Sequence, residues 1–76
     1  MIKGKTIEIS VKEPVEKEDI ELVRMIADQL SVRDIAKKKG ISHRTIESQI
    51  AVLKKKYHVR TSIGLVVLFY RHKLIN

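Results

Sequence analysis

Two helix starts on either side of a helix stop are the strongest structural signals in this chain. Ser31, followed three residues later by Asp34, approximates a capping box, the pattern with which a helix begins. Gly40 supplies the left-handed residue that ends a helix, and Ser42 is a suitable cap for the next one. The sequence therefore predicts a short helix, a tight turn and a longer helix. These are helix 2, at about 32–39, and helix 3, at about 42–57.

Apolar residues at helical spacing give the longer helix one buried face. Ile46, Ile50, Leu53 and Tyr57 step by four, three and four residues along one stripe. Ile41 is predicted to fill the space between helices 2 and 3. The same period predicts helix 1 at about 17–29 and helix 4 from its cap Thr61 to near Lys73. The predicted fold class is all-α, with four helices.

The segment over residues 5–12 follows a different period. Ile7, Ile9 and Val11 alternate with polar residues, as they would in a strand. A lone strand lacks a partner, so three roles are open: pairing with a copy in a dimer, a linker from a longer protein, or packing across the helices. Pro14 ends this segment. The predicted organisation is an extended arm or linker over 1–14 and a helical domain over 15–76.

Size and composition argue against several classes of protein. A chain of 76 residues leaves room for one small domain, which argues against an enzyme. Without Cys it has no disulfide framework or thiolate zinc site, and its three His residues lie outside any cluster with metal-ligand spacing. The longest apolar stretch, 65–70, is about a third of the roughly 20 residues that a membrane helix needs. We expect a cytoplasmic protein without cofactor, metal, membrane or small-molecule site.

Positive charge is concentrated in the middle of the chain. The net charge is +7, and residues 31–60 alone hold nine basic and two acidic side chains. A basic segment on a neutral frame is typical of a surface that binds a polyanion. A short helix, a glycine turn and a longer basic helix together indicate a helix-turn-helix, whose second helix lies in the major groove of DNA.

Five blocks of the sequence match the pattern of one known family. They are Val15-Glu-Lys-Glu-Asp19, Ile26-Ala-Asp-Gln-Leu-Ser-Val-Arg-Asp-Ile-Ala36, Ile41-Ser-His-Arg-Thr-Ile46, Lys54-Lys-Lys-Tyr-His-Val59 and 65–75. Through them, about four fifths of the chain resembles the LuxR-type (GerE-like) DNA-binding domain of bacterial regulators without a gap. The resemblance implies a four-helix domain that dimerises through helix 4 and binds promoter DNA at the bacterial nucleoid to control transcription. Such domains follow a receiver or ligand-sensing domain, as in response regulators, or stand alone.

The chain departs from the family pattern in helices 1, 3 and 4. The usual Gly near the end of helix 1 is Gln29 here, and the Arg expected at the start of helix 4 is Ser62. In helix 3 the common Thr-Val-Lys-x-His is replaced by Thr45-Ile-Glu-Ser-Gln49, so a basic DNA contact of the family becomes Glu47. These substitutions leave the predicted fold unchanged and alter the expected DNA contacts.

Helix 3 presents the candidate DNA contacts on the face opposite its buried stripe. Glu47, Ser48 and Ala51 are predicted nearest the base edges, where Glu can accept from cytosine N4 and Ala can touch a thymine methyl. An alternative role for Glu47 is to favour the helix dipole and pair with Arg44. For the lysines at 54–56, stabilising the negative C-terminal end of the helix 3 dipole is weighed equally with contacting phosphates. The predicted phosphate contacts are Arg33, His43, Arg44, Thr45, Lys54 and Lys55.

Helix 4 is apolar almost all round. One face of it is predicted to pack on the core, and the opposite face is predicted to make a separate apolar contact. Leu65, Val66 and Phe69 are assigned to the core. An exposed Val-Leu pair beside a Gly on the opposite side predicts a two-fold dimer seam. The alternative is that the arm over 1–14 covers this face. The predicted seam residues are Gly64, Val67, Leu68 and Arg71.

Two functions from different classes remain open at this point. The first is a sequence-specific transcription regulator that binds double-stranded DNA as a homodimer. The second is a protein-interaction module with the same fold, which binds RNA polymerase or a partner regulator, with Glu47 discouraging tight DNA contact. Steep salt dependence of duplex binding favours the first, because phosphate contacts release counterions.

Overall fold

Four helices follow one another in the computed structural model, which describes residues 15–76. The described residues contain no strand, so the all-α prediction is confirmed for this part of the chain. No helix within it has the length and apolar character needed to cross a membrane. The predicted strand and the arm over 1–14 lie outside the described residues. The helices are α1 Lys17–Ala27, α2 Val32–Lys39, α3 His43–Lys56 and α4 Ser62–Arg71.

Side-chain caps fix the starts of three helices. The hydroxyls of Ser31, Ser42 and Thr61 each accept a hydrogen bond from the backbone N–H three residues further along, at 3.1, 3.0 and 2.9 Å. The carboxylate of Asp34 accepts from the backbone N–H of Ser31 at 3.3 Å, which completes the predicted capping box. Each such cap stabilises a helix by about 1 kcal/mol. The predicted starts of α2, α3 and α4 are therefore confirmed.

Each of the four helices is followed within two residues by a residue in the left-handed region, but only one of these residues is a glycine. Gly40 closes α2 at φ 70°, as predicted. Gln29, His58 and Lys73 adopt φ values of 68°, 59° and 60° after α1, α3 and α4. Because the chain turns through Gln29 and Lys73, α1 and α4 each end two residues before their predicted limits.

The core is built on α3 and α4. α1 packs chiefly against α4, α2 packs against α3, and α3 packs against α4. The predicted stripe of α3 is buried, and so are Leu65 and Phe69 of α4. Ile41 is 37% exposed, so it is less buried than its predicted place between the helices implies. The buried residues are Leu22, Val23, Ile35, Ala36, Ile46, Ile50, Leu53, Tyr57, Leu65, Phe69 and Ile75.

A single carboxylate ties α1 to the end of α3. Asp19 Oδ2 accepts hydrogen bonds from Lys56 Nζ at 3.0 Å and from the Tyr57 hydroxyl at 2.8 Å. The Tyr57 ring meets the Phe69 ring edge to face, with centroids 5.1 Å apart. Burial, with the hydrogen bond to Asp19, raises the pKa of Tyr57 to about 12. This contact sets the position of α3 relative to α1 and α4.

Candidate nucleic-acid interface

The outermost line of α3 consists of two small residues between two cations. Arg44, Ser48, Ala51 and Lys55 are all exposed and lie at i, i+4, i+7 and i+11, opposite the buried stripe of the same helix. We call these four residues the α3 ridge. The structure thus brings together four of the predicted DNA-binding residues on one line.

The dimensions of the α3 ridge suit the major groove of DNA. Lys55 lies eleven positions after Arg44, which is about 16 Å along the helix axis. The groove is about 12 Å wide, so cations at the two ends can reach phosphates on both of its edges. The short side chains of Ser48 and Ala51 let the helix approach the bases. A hydroxyl can donate to or accept from a base edge, and a methyl can pack on thymine.

Glu47 lies beside the α3 ridge and has a different partner from the predicted one. Its Oε2 is 4.0 Å from Nδ1 of His43, one turn earlier, and both side chains are more than half exposed. Among the described residues the ion-pair neighbour of Glu47 is His43, so the predicted pairing with Arg44 is wrong. On a helix, both the third and the fourth residue before Glu47 lie within reach of its side chain. Here the i, i+4 neighbour, His43, is the one that forms the contact.

The three lysines at the end of α3 have different environments. Lys55 is exposed, and Lys54 is half-buried. Lys56 forms the ion pair with Asp19, in which both side chains are about 15% exposed. Lys55 is therefore the cation of this run that lies fully open to a DNA phosphate, whereas Lys56 serves the attachment of α1. Arg33 is exposed on α2, as the prediction requires.

A trough lies between α1 and α3, next to the α3 ridge. Its volume is about 350 Å³, and we call it the α1–α3 trough. Thr45 lines it, and the Thr45 hydroxyl lies 2.8 Å from the hydroxyl of the cap Ser42, so this predicted phosphate contact already has a hydrogen-bond partner. Sequence reasoning missed this feature, because nothing in the local pattern shows that α1 crosses near α3. The lining residues are Glu18, Asp19, Leu22, Lys39, Thr45, Ser48, Gln49, Val52 and Leu53.

Two of the four predicted seam residues on α4 face inward. Leu68 is half-buried against the core. A Cβ added to Gly64 would lie 3.1 Å from the Cβ of Val59, so this glycine permits close approach of the preceding turn. Val67 and Arg71 are exposed, as predicted. Gly64 and Leu68 are therefore half-buried, not fully exposed as expected, and the seam itself stays a prediction.

The exposed apolar face of α4 lies on a neighbouring line. Ile63, Val67 and Tyr70 are 73%, 42% and 63% exposed and lie at i, i+4 and i+7. We call these residues the α4 stripe. A contiguous apolar line on a small, highly charged domain is a candidate interaction surface. An all-apolar helix has no polar face to reveal its rotation, which is why the sequence did not predict this line.

No family model, curated protein or solved structure matches this chain. Among the described residues, no three His, Asp or Glu side chains converge at metal-binding distance. The functional interpretation of the chain therefore depends on two surfaces, the α3 ridge and the α4 stripe.

Proposed function

We propose that residues 15–76 bind double-stranded DNA through α3 as the effector domain of a bacterial transcription regulator of the LuxR type. The observation that carries the proposal is the α3 ridge, a small-residue line with a cation at each end. It follows a capped α2 and a left-handed Gly40, the local arrangement of a helix-turn-helix. The net charge of +7 supports attraction to a polyanion.

In this proposal the α3 ridge enters the major groove. Ser48 and Ala51 meet base edges, and Arg44 and Lys55 meet phosphates on either side. His43 and Arg33 add contacts at the margin when the helix is seated. Phosphate contacts hold the domain in register, and the two small residues provide the sequence preference.

Two copies associate through the α4 stripe in this proposal. An isologous contact places the same stripe of both subunits face to face, which buries Ile63, Val67 and Tyr70. The two α3 ridges then meet half-sites about one helical turn apart on the same side of the duplex.

A paired charge-removal experiment tests the DNA contact. The double variant Arg44→Ala/Lys55→Ala should bind a duplex at least about tenfold more weakly, since it lacks two charge-assisted contacts. The slope of log affinity against log salt should fall by about 0.9 for each lost phosphate contact. The matched control is Lys17→Ala/Arg24→Ala, which removes the same charge from exposed positions on α1 and should keep the wild-type slope.

Equal weakening by both double variants would contradict the proposal, because it would show attraction to total charge alone. Duplex binding without salt dependence would also contradict it and would favour the protein-interaction alternative. Circular dichroism of both variants checks that the helices are retained.

A further inference from the structure

The α1–α3 trough has an apolar floor and one exposed aliphatic wall. Leu22 and Leu53 are 3% and 5% exposed beneath it. Val52 is 61% exposed at its side, and nothing in the core accounts for an aliphatic residue there. The volume of about 350 Å³ is at the lower end of the roughly 300–1,000 Å³ range of ligand pockets, so it suits one or two side chains.

The opposite wall of the trough is acidic, although the chain as a whole is strongly basic. Residues 16–22 hold four acidic side chains and one basic one, against a net charge of +7. Glu18 is exposed on this wall. Asp19 is about 15% exposed, and both hydrogen bonds that it accepts from described residues end on Oδ2. Its Oδ1 therefore keeps its acceptor capacity and lies on a mostly buried carboxylate that lines the trough.

We propose that the α1–α3 trough binds a short segment of a partner protein that presents a Lys or Arg side chain beside an aliphatic one. The aliphatic side chain packs on Leu22, Leu53 and Val52, and the cation meets Glu18 and Oδ1 of Asp19. A charge-assisted hydrogen bond in a partly water-excluded trough is stronger than the same contact on an open surface. Nucleic acid is a poorer occupant, because its phosphates would face two carboxylates and only one cation, Lys39.

This site is distinct from the proposed DNA contact. It shares only Ser48 with the α3 ridge, and its lining holds two carboxylates and one lysine, Lys39, so its net charge has the opposite sign. The domain therefore has two neighbouring surfaces with opposite electrostatic preferences. A regulator with both can hold DNA and a partner protein on adjacent faces of one helix.

A peptide titration without DNA tests the site independently of the proposed function. The probe is N-acetyl-Leu-Arg-amide, with N-acetyl-Leu-Glu-amide as its acidic counterpart, added to the full chain while backbone amide resonances are recorded. We expect saturable shifts with the Arg probe at residues lining the trough, and none with the Glu probe. Glu18→Lys should weaken binding about tenfold, the loss of one contact to a charged group.

Two further variants separate the trough from general attraction to α1. Glu21→Lys makes the same charge change at an exposed α1 position outside the trough and should leave the affinity unchanged. Val52→Asn should weaken binding severalfold, because it removes an exposed aliphatic contact without disturbing the core.

Three results would overturn the proposal. One is equal weakening by Glu18→Lys and Glu21→Lys, which would mean attraction to acidic charge alone. Another is the absence of saturable shifts with the Arg probe. The third is that added duplex DNA shifts the amide resonances of Leu22 and Val52 as strongly as those of the α3 ridge. That result would assign the trough to DNA.

Discussion

At the scale of single residues, Glu47 is the side chain that best tests the proposed DNA contact of α3. In the proposed complex, its carboxylate beside the α3 ridge would face a duplex that carries one phosphate charge per roughly 1.7 Å of its axis. The neighbouring His43, 4.0 Å away, offsets this charge only when it is protonated. We expect Glu47→Lys to tighten binding severalfold to a selected site and to scrambled DNA alike, as measured by fluorescence anisotropy.

If Glu47 instead makes a specific base contact, the same measurement gives a different result. If the carboxylate accepts from a cytosine amine, Glu47→Lys weakens the selected site by about 1–3 kcal/mol while scrambled DNA binds more tightly. Glu47→Gln is a useful control, since it removes the charge and keeps an acceptor. No change on either duplex would show that α3 stays out of the groove.

Gln29 holds a backbone conformation that suits glycine better. Its φ of 68° crowds the Cβ of any L residue, and relief of that strain favours the folded state. We expect Gln29→Gly to raise the free energy of unfolding by about 1 kcal/mol in a urea titration. Gly40→Ala is the reciprocal control and should lower it by about as much, because a Cβ there meets no heavy atom within 4 Å and only the backbone is strained.

At the scale of elements, the rotation of α4 determines which side chains can join two copies. Val67→Glu places like charges together at the centre of the α4 stripe, where burial of an unpaired charge is costly. We expect a folded monomer in sedimentation and weaker DNA binding. Leu68→Glu should instead destabilise the fold, since Leu68 packs on the core.

Val52→Glu is the matched control for this prediction. It makes the same exchange at a more exposed position on α3 and should leave the sedimentation of the protein unchanged. A wild type that is already monomeric at high concentration, or a Val67→Glu variant that stays dimeric, would contradict the α4 stripe as the contact.

The sequence predicted where the helices begin and end better than it predicted which side chains meet between them. Ser31, Ser42, Thr61 and Gly40 act on the backbone within three or four residues, so their effects can be inferred from sequence alone. The α3 ridge was also predictable, because α3 has a polar face. The hydrogen bonds that Asp19 accepts from Lys56 and Tyr57 depend on how the helices cross. These partners lie 37 and 38 positions later in the chain, and no local pattern encodes the contact.

At the scale of the whole molecule, stability at alkaline pH depends on the Tyr57 hydroxyl. Folding raises the pKa of Tyr57 from its ordinary value of 10.0 to about 12, so the protonated phenol favours the native state. This contribution is complete below about pH 10 and is lost as the pH rises to about 12. We expect the stability advantage of the wild type over Tyr57→Phe to shrink across that interval.

A spectroscopic titration checks the same pKa directly. The chain has two tyrosines, so Tyr70→Phe leaves Tyr57 as the only phenol. Tyrosinate absorbance of that variant should reach its midpoint near pH 12. A midpoint near pH 10 would show that the bond to Asp19 and the burial of the ring do not perturb the hydroxyl.

The packing of α1 against α4 has a consequence for synthesis on the ribosome. α1 leaves the exit tunnel first among the described helices, whereas α4, its main packing partner, is translated last. Leu22 and Val23 therefore remain solvated while the intervening helices emerge, at about 5–20 residues per second. The nascent domain closes its core only after Phe69 and Ile75 are outside the tunnel. Any polypeptide that follows α4 would let this step occur before the chain is released.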